Sequence, residues 1–440
     1  MFSRRLKSLF SDSIYYGAGI FLMKGISLIM LPVYTYYLTP NDYGRLEVLV
    51  VFTNVISIFL GFGLVEALYR FVGLAKTEQE QKKQAGQCLL LAFIIGMVAL
   101  LVFVFFSSEI AVLLPEGISH NEVLLMGIAL AVGSALNVPL AWLRFTERAL
   151  LFFIVTMVKV ILQVLLTLYG FIQGWGIVSV LASTAVSTVL VALYLCFLQA
   201  KETGLHFSAK SLKDILQYGW PIFVAGIASF SLAGMDRWLL AEYFGADDVG
   251  LYAIAIKFAL VPTLLIQPFT LWWYPKRFSV LSDKNGLQIN AHFAMVGSSL
   301  AVVMCGGLGL VGPTLITWLT PESYHGAASI LPLLLLCTLL KLIAELLNLG
   351  CFVDKSSYTQ MNINVLSSIV GAVLLIIWIP SYFIDGAIYA LIVAYAVRLV
   401  LFYVISQRRL KLPYQFGYLS SALGFAFIAT YLGQYIEVAL

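Results

Sequence analysis

Long apolar blocks alternate with short polar stretches along the whole chain, at a spacing of roughly 30 residues. A hydrocarbon core of about 30 Å needs about 20 apolar helical residues to cross it. Leu89–Phe106, Phe152–Ile172 and Ile289–Leu310 reach that length. Lipid offers no partner for a free backbone N–H or C=O, so closed helices are the natural spanning form. The pattern predicts about thirteen transmembrane helices, with twelve to fourteen as the range. They fall at 13–38, 46–72, 88–106, 121–143, 152–172, 177–199, 214–240, 250–274, 289–311, 326–350, 360–380, 385–406 and 417–436. The fold class is therefore an all-α polytopic membrane protein.

Composition agrees, with 61% hydrophobic and 11% charged residues, outside the range of soluble globular domains. A formal net charge of only +4 gives no footprint for nucleic acid, and the placement of the charges says more. With the N-terminus in the cytoplasm, the cytoplasmic segments hold Arg4, Arg5, Lys7, Lys76, Lys82, Lys83, Arg144, Arg148 and Lys201. They continue with Lys210, Lys213, Lys276, Arg277, Lys284, Lys355, Arg408, Arg409 and Lys411. Only Arg45 falls on the far side, so the positive-inside rule fixes an N-inside orientation. If 417–436 is a true thirteenth span the C-terminus lies on the far side, and if it is not the C-terminus stays in the cytoplasm.

The N-terminal cations precede an apolar run too long for a secretory signal, with no A-x-A site after it. Phe2, Leu6, Leu9 and Phe10 share a helical face opposite those cations. Residues 2–10 either lie along the cytoplasmic headgroups or form a plain basic flank. The five cysteines have no CxxC spacing and lie in or beside apolar segments, which reads as packing, without disulfides or metal ligands.

The chain also repeats itself. Tyr16-Gly17 and Tyr218-Gly219 open the first and seventh spans, and each span runs into a similar turn, at 36–53 and 242–259. Tyr37 matches Tyr243, Asp42 matches Asp248, Gly44 matches Gly250 and Phe52 matches Phe258, all 206 residues apart. A parallel repeat of six helices is one way to build a transporter. It divides the chain into 1–205, 206–412 and an additional helix in 413–440. Chance recurrence of Asp-x-Gly turns between helices is the other reading of the same match.

A charge at a helix centre costs roughly 2.5–3.5 kcal/mol on insertion scales, so intramembrane ionisable groups face a cavity or a partner. The basic candidates are Lys24, Arg70, Lys159, Arg237, Lys257, Lys341 and Arg398, and the acidic ones are Glu47, Glu66, Asp236 and Glu345. The surplus is cationic. Lys24 stands out, near the middle of the first span with no acid at helical spacing. Lys24, Lys341, Arg398, Lys159, Lys257 and Arg70 are the substrate-path candidates. Asp236, Arg237, Glu66, Glu345 and Glu47 are the gate or ion-coupling candidates. Glu66 with Arg70 and Lys341 with Glu345 are spaced i,i+4, where mutual neutralisation is the competing explanation. Arg70, Lys159, Lys257 and Arg398 lie near enough to helix ends to snorkel. Trp272, Trp273 and Tyr274 before Lys276-Arg277 mark a membrane border.

No enzyme signature emerges. The four histidines lack metal-ligand spacing, and no Walker loop is present. The loops are too short for a catalytic domain.

The basic start, the Tyr-Gly opening, the Leu38-Thr39-Pro40-Asn41-Asp42-Tyr43-Gly44 turn and the later Asp236-Arg237…Gly250-x-Tyr252…Lys257 together resemble a known group. They are similar to bacterial polysaccharide-unit flippases of the multidrug/oligosaccharidyl-lipid/polysaccharide exporter superfamily, which includes O-antigen translocases. The resemblance spans nearly the whole chain. It implies two pseudo-symmetric six-helix bundles around a V-shaped cavity in the bacterial inner membrane. The implied activity is movement of an undecaprenyl-pyrophosphate-linked oligosaccharide to the periplasmic leaflet for O-antigen, capsule or exopolysaccharide synthesis. Implied partners are that substrate, membrane lipids, a polysaccharide polymerase and chain-length machinery. No cofactor is expected beyond coupled H+ or Na+. An anionic diphosphate suits the cationic surplus. The alternatives are an ion-coupled drug or metabolite exporter of the same superfamily, and a non-transporting subunit of a synthase complex.

Overall fold

The computed structural model describes residue 22 and residues 25–424, apart from 116, 231, 233, 275, 353–357, 416, 418, 419, 421 and 423. Among the described residues there are helices, 3-10 turns and no strands. Nine helical stretches among them are long and apolar enough to cross a membrane, by length and composition. The first-span residue Lys24, the segment 2–10 and most of the thirteenth span lie outside the described residues.

The chain forms two compact units. The first comprises residues up to Leu38 with Arg45–Phe230, and the second Thr39–Gly44 with everything from residue 231. The boundary falls one helix later than the 205/206 division that the repeat suggests. In the first unit α1 (25–37) leads to α2 (Pro40–Gly61), α3 (Leu64–Leu74), α4 (Glu78–Leu113) and α5 (His120–Phe145). It ends with α6 (Ala149–Ile172), α7 (Ile177–Thr203) and α8 (Ala209–Phe230).

A core of Leu68, Leu89, Val138, Trp142 and Ile215 joins α3, α4, α5 and α8. Small residues allow close helix approach where lipid supplies no hydrophobic drive. A Cβ on Gly96 would stand 2.6 Å from the Ala131 carbonyl, and one on Gly127 would strike Phe103. α2 and α3 are separated by Phe62 and Gly63, both at positive φ (37° and 68°). Gly219 of α8 rests on that break: a Cβ there would lie 2.1 Å from the Phe62 carbonyl. With Ile215 in the shared core, this contact ties α8 to the first unit, and it gives the Tyr-Gly opening of the seventh span a packing reason.

The second unit holds α9 (Met235–Phe244), α10 (Ala246–Ala259), α11 (Val261–Trp273), α12 (Lys276–Ser279), α13 (Gly286–Leu319), α14 (Ala327–Leu346) and α15 (Tyr358–Arg409). The single span expected at 214–240 is broken, since α8 ends at Phe230 and α9 starts at Met235 after Gly234. The spans expected at 360–380 and 385–406 are two helices that meet at a kink at Phe383 (φ 56°, ψ −137°) within α15. Phe383 is a rare non-glycine in this backbone region, and it packs on Phe244 at 4.4 Å.

The first turn of α2, assigned by its contacts to the second unit, carries the repeat turn into contact with its own copy. Asn41 Nδ2 donates to Asp247 Oδ2 at 3.1 Å across 206 residues. A Cβ on Gly44 would lie 1.7 Å from the Ala246 carbonyl oxygen, and one on Gly250 2.1 Å from that of Pro40. Pro40 and Ala246, like Gly44 and Gly250, are 206 positions apart. The crossing is therefore reciprocal, with each glycine facing the residue four positions before the other. Tyr43 meets the fully buried Tyr324 edge to face at 6.3 Å beside it.

Candidate functional site

A buried polar group of the second unit starts at Asp236. The break before α9 places Asp236 in that helix's first turn, and it is 2% exposed. Tyr252 of α10, fully buried, donates its hydroxyl to Asp236 Oδ2 at 2.8 Å. The other carboxylate oxygen, Oδ1, is buried without a hydrogen-bond partner. An acceptor left bare in this way costs its full desolvation. Tyr395 of α15 donates a long bond of 3.4 Å to the Leu232 carbonyl, and Asp236, Arg237 and Arg398 all lie within its electrostatic reach.

Arg398, one turn after Tyr395 on α15, stands 3.8 Å from Glu345 of α14. That is an ion pair without a hydrogen bond. Its guanidinium also lies 5.5 Å over the Phe402 ring, and its Nε has no hydrogen-bond partner. Glu345 thus faces Arg398 across helices, and Lys341, half-buried, makes no ion pair with it. In the first unit Arg70 is exposed and lies 4.7 Å over the Tyr218 ring, with no ion pair to the exposed Glu66. Lys159 is half-buried on α6. Glu47 is buried, Arg237 and Lys257 half-buried, and each engages neighbouring groups. Among the described residues no group of three or more His, Cys, Asp or Glu could hold a metal ion.

Two arrangements were not singled out by the sequence reading. Arg45 clamps Glu122 through one guanidinium nitrogen at 2.6 and 2.7 Å, and Glu122 is 3% exposed. Ser119-x-x-Glu122 forms the reciprocal capping box that starts α5. That motif is written in the sequence, whereas its long-range partner is not.

Arg277, read as a border cation, is instead buried. It lies 4.6, 5.0 and 5.1 Å from the rings of Tyr274, Phe278 and Phe352, and donates to Asn348 Oδ1 at 2.9 Å. No carboxylate pairs with it among the described residues. All five cysteines are free and buried.

Residues 35–328 match the family described as polysaccharide biosynthesis protein. The succinoglycan biosynthesis transport protein ExoT of Rhizobium meliloti (strain 1021) is 24% identical over 248 residues, covering 55% of this chain and 48% of ExoT. This chain thus spans about half the length of that relative. The fold is similar to that of the lipid II flippase MurJ in an inward closed conformation. The TM-score is 0.72 at 14% identity, over 96% of this chain and 98% of that one. It is also similar to the inward-facing form of a multidrug resistance MATE family transporter of the MOP superfamily. Here the TM-score is 0.67 at 14% identity, over 89% of this chain and 98% of the other.

Proposed function

We infer the activity from one premise: this chain belongs to the polysaccharide biosynthesis protein family, whose match covers residues 35–328. It is a multi-span membrane protein of a polysaccharide transporter family, with the fold shared by MurJ and MATE transporters. Within that frame the chain flips an undecaprenyl-pyrophosphate-linked oligosaccharide from the cytoplasmic to the periplasmic leaflet, in an N-inside orientation. The product supplies O-antigen, capsule or exopolysaccharide assembly, with the polymerase and chain-length machinery as downstream partners.

The family match carries this reading, and the cationic surplus of the spans supports it. A diphosphate is dianionic or more, and Lys or Arg hold it by charge-assisted hydrogen bonds. Lys341, half-buried and without an ion pair, is one described cation free to do so. Arg398, only loosely held by Glu345 at 3.8 Å, is the second. Asp236, with one bare oxygen, is the acid best suited to take up H+ or Na+. One charge moved through the membrane potential is worth about 2.3 kcal/mol per 100 mV, enough to bias a transport cycle.

The rival reading is an ion-coupled drug or metabolite exporter of the same superfamily, a fold that the chain shares with a multidrug resistance MATE family transporter. The deciding assay uses proteoliposomes holding the full chain and a labelled undecaprenyl-pyrophosphate oligosaccharide, with Lys341→Ala and Asp236→Asn alongside. Flipping by the wild type that falls at least tenfold in Lys341→Ala is the expected result. If the wild type moves no lipid-linked sugar yet expels tetraphenylphosphonium, the flippase reading is wrong and the exporter reading replaces it.

A further inference from the structure

A cavity of about 500 Å³ opens at the end of the first unit where α4 begins and α5 and α7 finish. That volume lies inside the range of small-molecule sites and takes about one or two sugar rings. Its apolar wall is the parallel pair Trp142 and Phe145, with ring centroids 5.9 Å apart and planes 13° apart. Phe145 is half-buried and Trp142 buried, so the wall is fixed by the core behind it.

The polar lining is already organised. Glu202 accepts from the Trp142 indole at 3.1 Å and pairs with Arg148, while Lys82 pairs with Glu78 at 2.7 Å. Glu147, also in the lining, has φ 57°, a left-handed backbone that costs a non-glycine roughly 1–2 kcal/mol. It is the one lining carboxylate without an ion pair there.

This inventory selects a ligand class. Both lining cations are neutralised by their own carboxylates, and the lining carries three acids against two bases. A diphosphate therefore finds no free positive charge and one surplus negative one. A flat apolar wall beside fixed donors and acceptors suits an uncharged polyhydroxylated ring, which presents C–H groups on its face and hydroxyls on its rim.

We propose that this cavity is a sugar-binding subsite that receives the oligosaccharide head of the lipid-linked substrate before translocation. The proposal rests on the flippase reading and on the charge-derived orientation, which puts this end at the cytoplasmic surface. It separates two tasks: intramembrane cations hold the diphosphate, and the Trp142–Phe145 wall with Glu147 holds the sugar.

The test measures binding apart from transport. Full-length protein in nanodiscs is probed by saturation-transfer NMR with lactose, cellobiose and chitobiose, none of which carries lipid or phosphate. At least one disaccharide is expected to bind, with affinity about fivefold to tenfold lower in Phe145→Leu and in Glu147→Gln. Inorganic pyrophosphate is expected not to compete. In proteoliposomes both variants raise the apparent KM for the lipid-linked oligosaccharide by a similar factor and leave the maximal rate unchanged, because the pocket acts on the ground state. Unaltered melting temperatures show that the variants fold.

The proposal is overturned if no disaccharide binds, if the variants bind as the wild type does, or if pyrophosphate displaces the sugar. Binding of tetraphenylphosphonium at this wall in place of sugars overturns it as well. A wild type that flips substrate, with variants of unchanged KM, removes the subsite and leaves the flippase reading standing. A wild type that flips nothing removes the flippase reading itself, whatever binds in the cavity.

Discussion

Replacing either crossing glycine by alanine tests the reciprocal packing of the repeat turns. A methyl on Gly44 would lie 1.7 Å from the Ala246 carbonyl oxygen and one on Gly250 2.1 Å from that of Pro40. Real contacts begin near 3.0 Å, so the backbones must part by 3.0 − 1.7 = 1.3 Å or by 3.0 − 2.1 = 0.9 Å. The obstructing atoms are main chain, and no rotamer change removes them. Overpacking of this kind costs about 1–3 kcal/mol, and separation also strains the Asn41–Asp247 hydrogen bond, worth about 1 kcal/mol. Gly44→Ala is expected to lose about 3 kcal/mol and Gly250→Ala about 2 kcal/mol.

For a folding unit of roughly 200 residues this lowers Tm by about 4–12 °C, readable by a thermal shift assay in detergent. The double variant loses less than the sum, because one separation relieves both clashes. Gly73→Ala is the control: its Cβ meets nothing within 4 Å, and on a helix it is neutral or stabilising by up to about 1 kcal/mol. Melting of both crossing variants within about 1 °C of wild type, or strict additivity of the pair, refutes the reasoning.

Three further outcomes follow from buried groups. Glu122→Ala leaves Arg45 without its carboxylate in a mostly buried site (side-chain exposures 18% and 5%), costing about 3 kcal/mol. Arg45→Met with Glu122→Leu recovers most of that loss, which a double-mutant cycle on melting checks. Arg277→Lys loses the planar contact with three rings and melts lower than Arg277→Met, since Lys keeps an uncompensated buried charge. The reverse order is evidence against the buried-charge account.

Because all five cysteines are free and buried, native protein is expected to resist N-ethylmaleimide at pH 7 and to react at all five in SDS. Burial raises the Cys351 thiol above its ordinary range, with Arg409 pulling it partly back. Its labelling therefore sets in at higher pH than that of a free thiol, because the thiolate is the reactive form. Prompt labelling at pH 7, followed by mass spectrometry, counts against this.

Much of the molecule was legible in one dimension. Membrane spans are read from hydropathy because lipid forces every backbone group into a helix, and the charge asymmetry orders the loops. The 206-residue repeat showed in Gly44, Gly250, Tyr37 and Tyr243 because a close helix crossing tolerates only glycine. The Ser119–Glu122 cap is local and equally readable.

Partner choice for ionisable groups was not legible. Helical spacing puts Lys341 beside Glu345 and Arg70 beside Glu66, yet Glu345 faces Arg398 and Arg70 lies over Tyr218. The i,i+4 attraction is worth only about 0.2–0.5 kcal/mol, so inter-helix geometry overrides it. The bare oxygen of Asp236 depends on Tyr252, which lies 16 residues away on another helix, and the burial of Arg277 on Asn348, 71 residues away. The wall, the acids and the strained Glu147 of the sugar cavity come from three separate helices and a loop. The sequence alone determined which segments are long and apolar enough to cross the membrane, since solvent transfer acts residue by residue. Which charges meet and where a cavity opens were decided only by tertiary packing, since those depend on how helix faces dock.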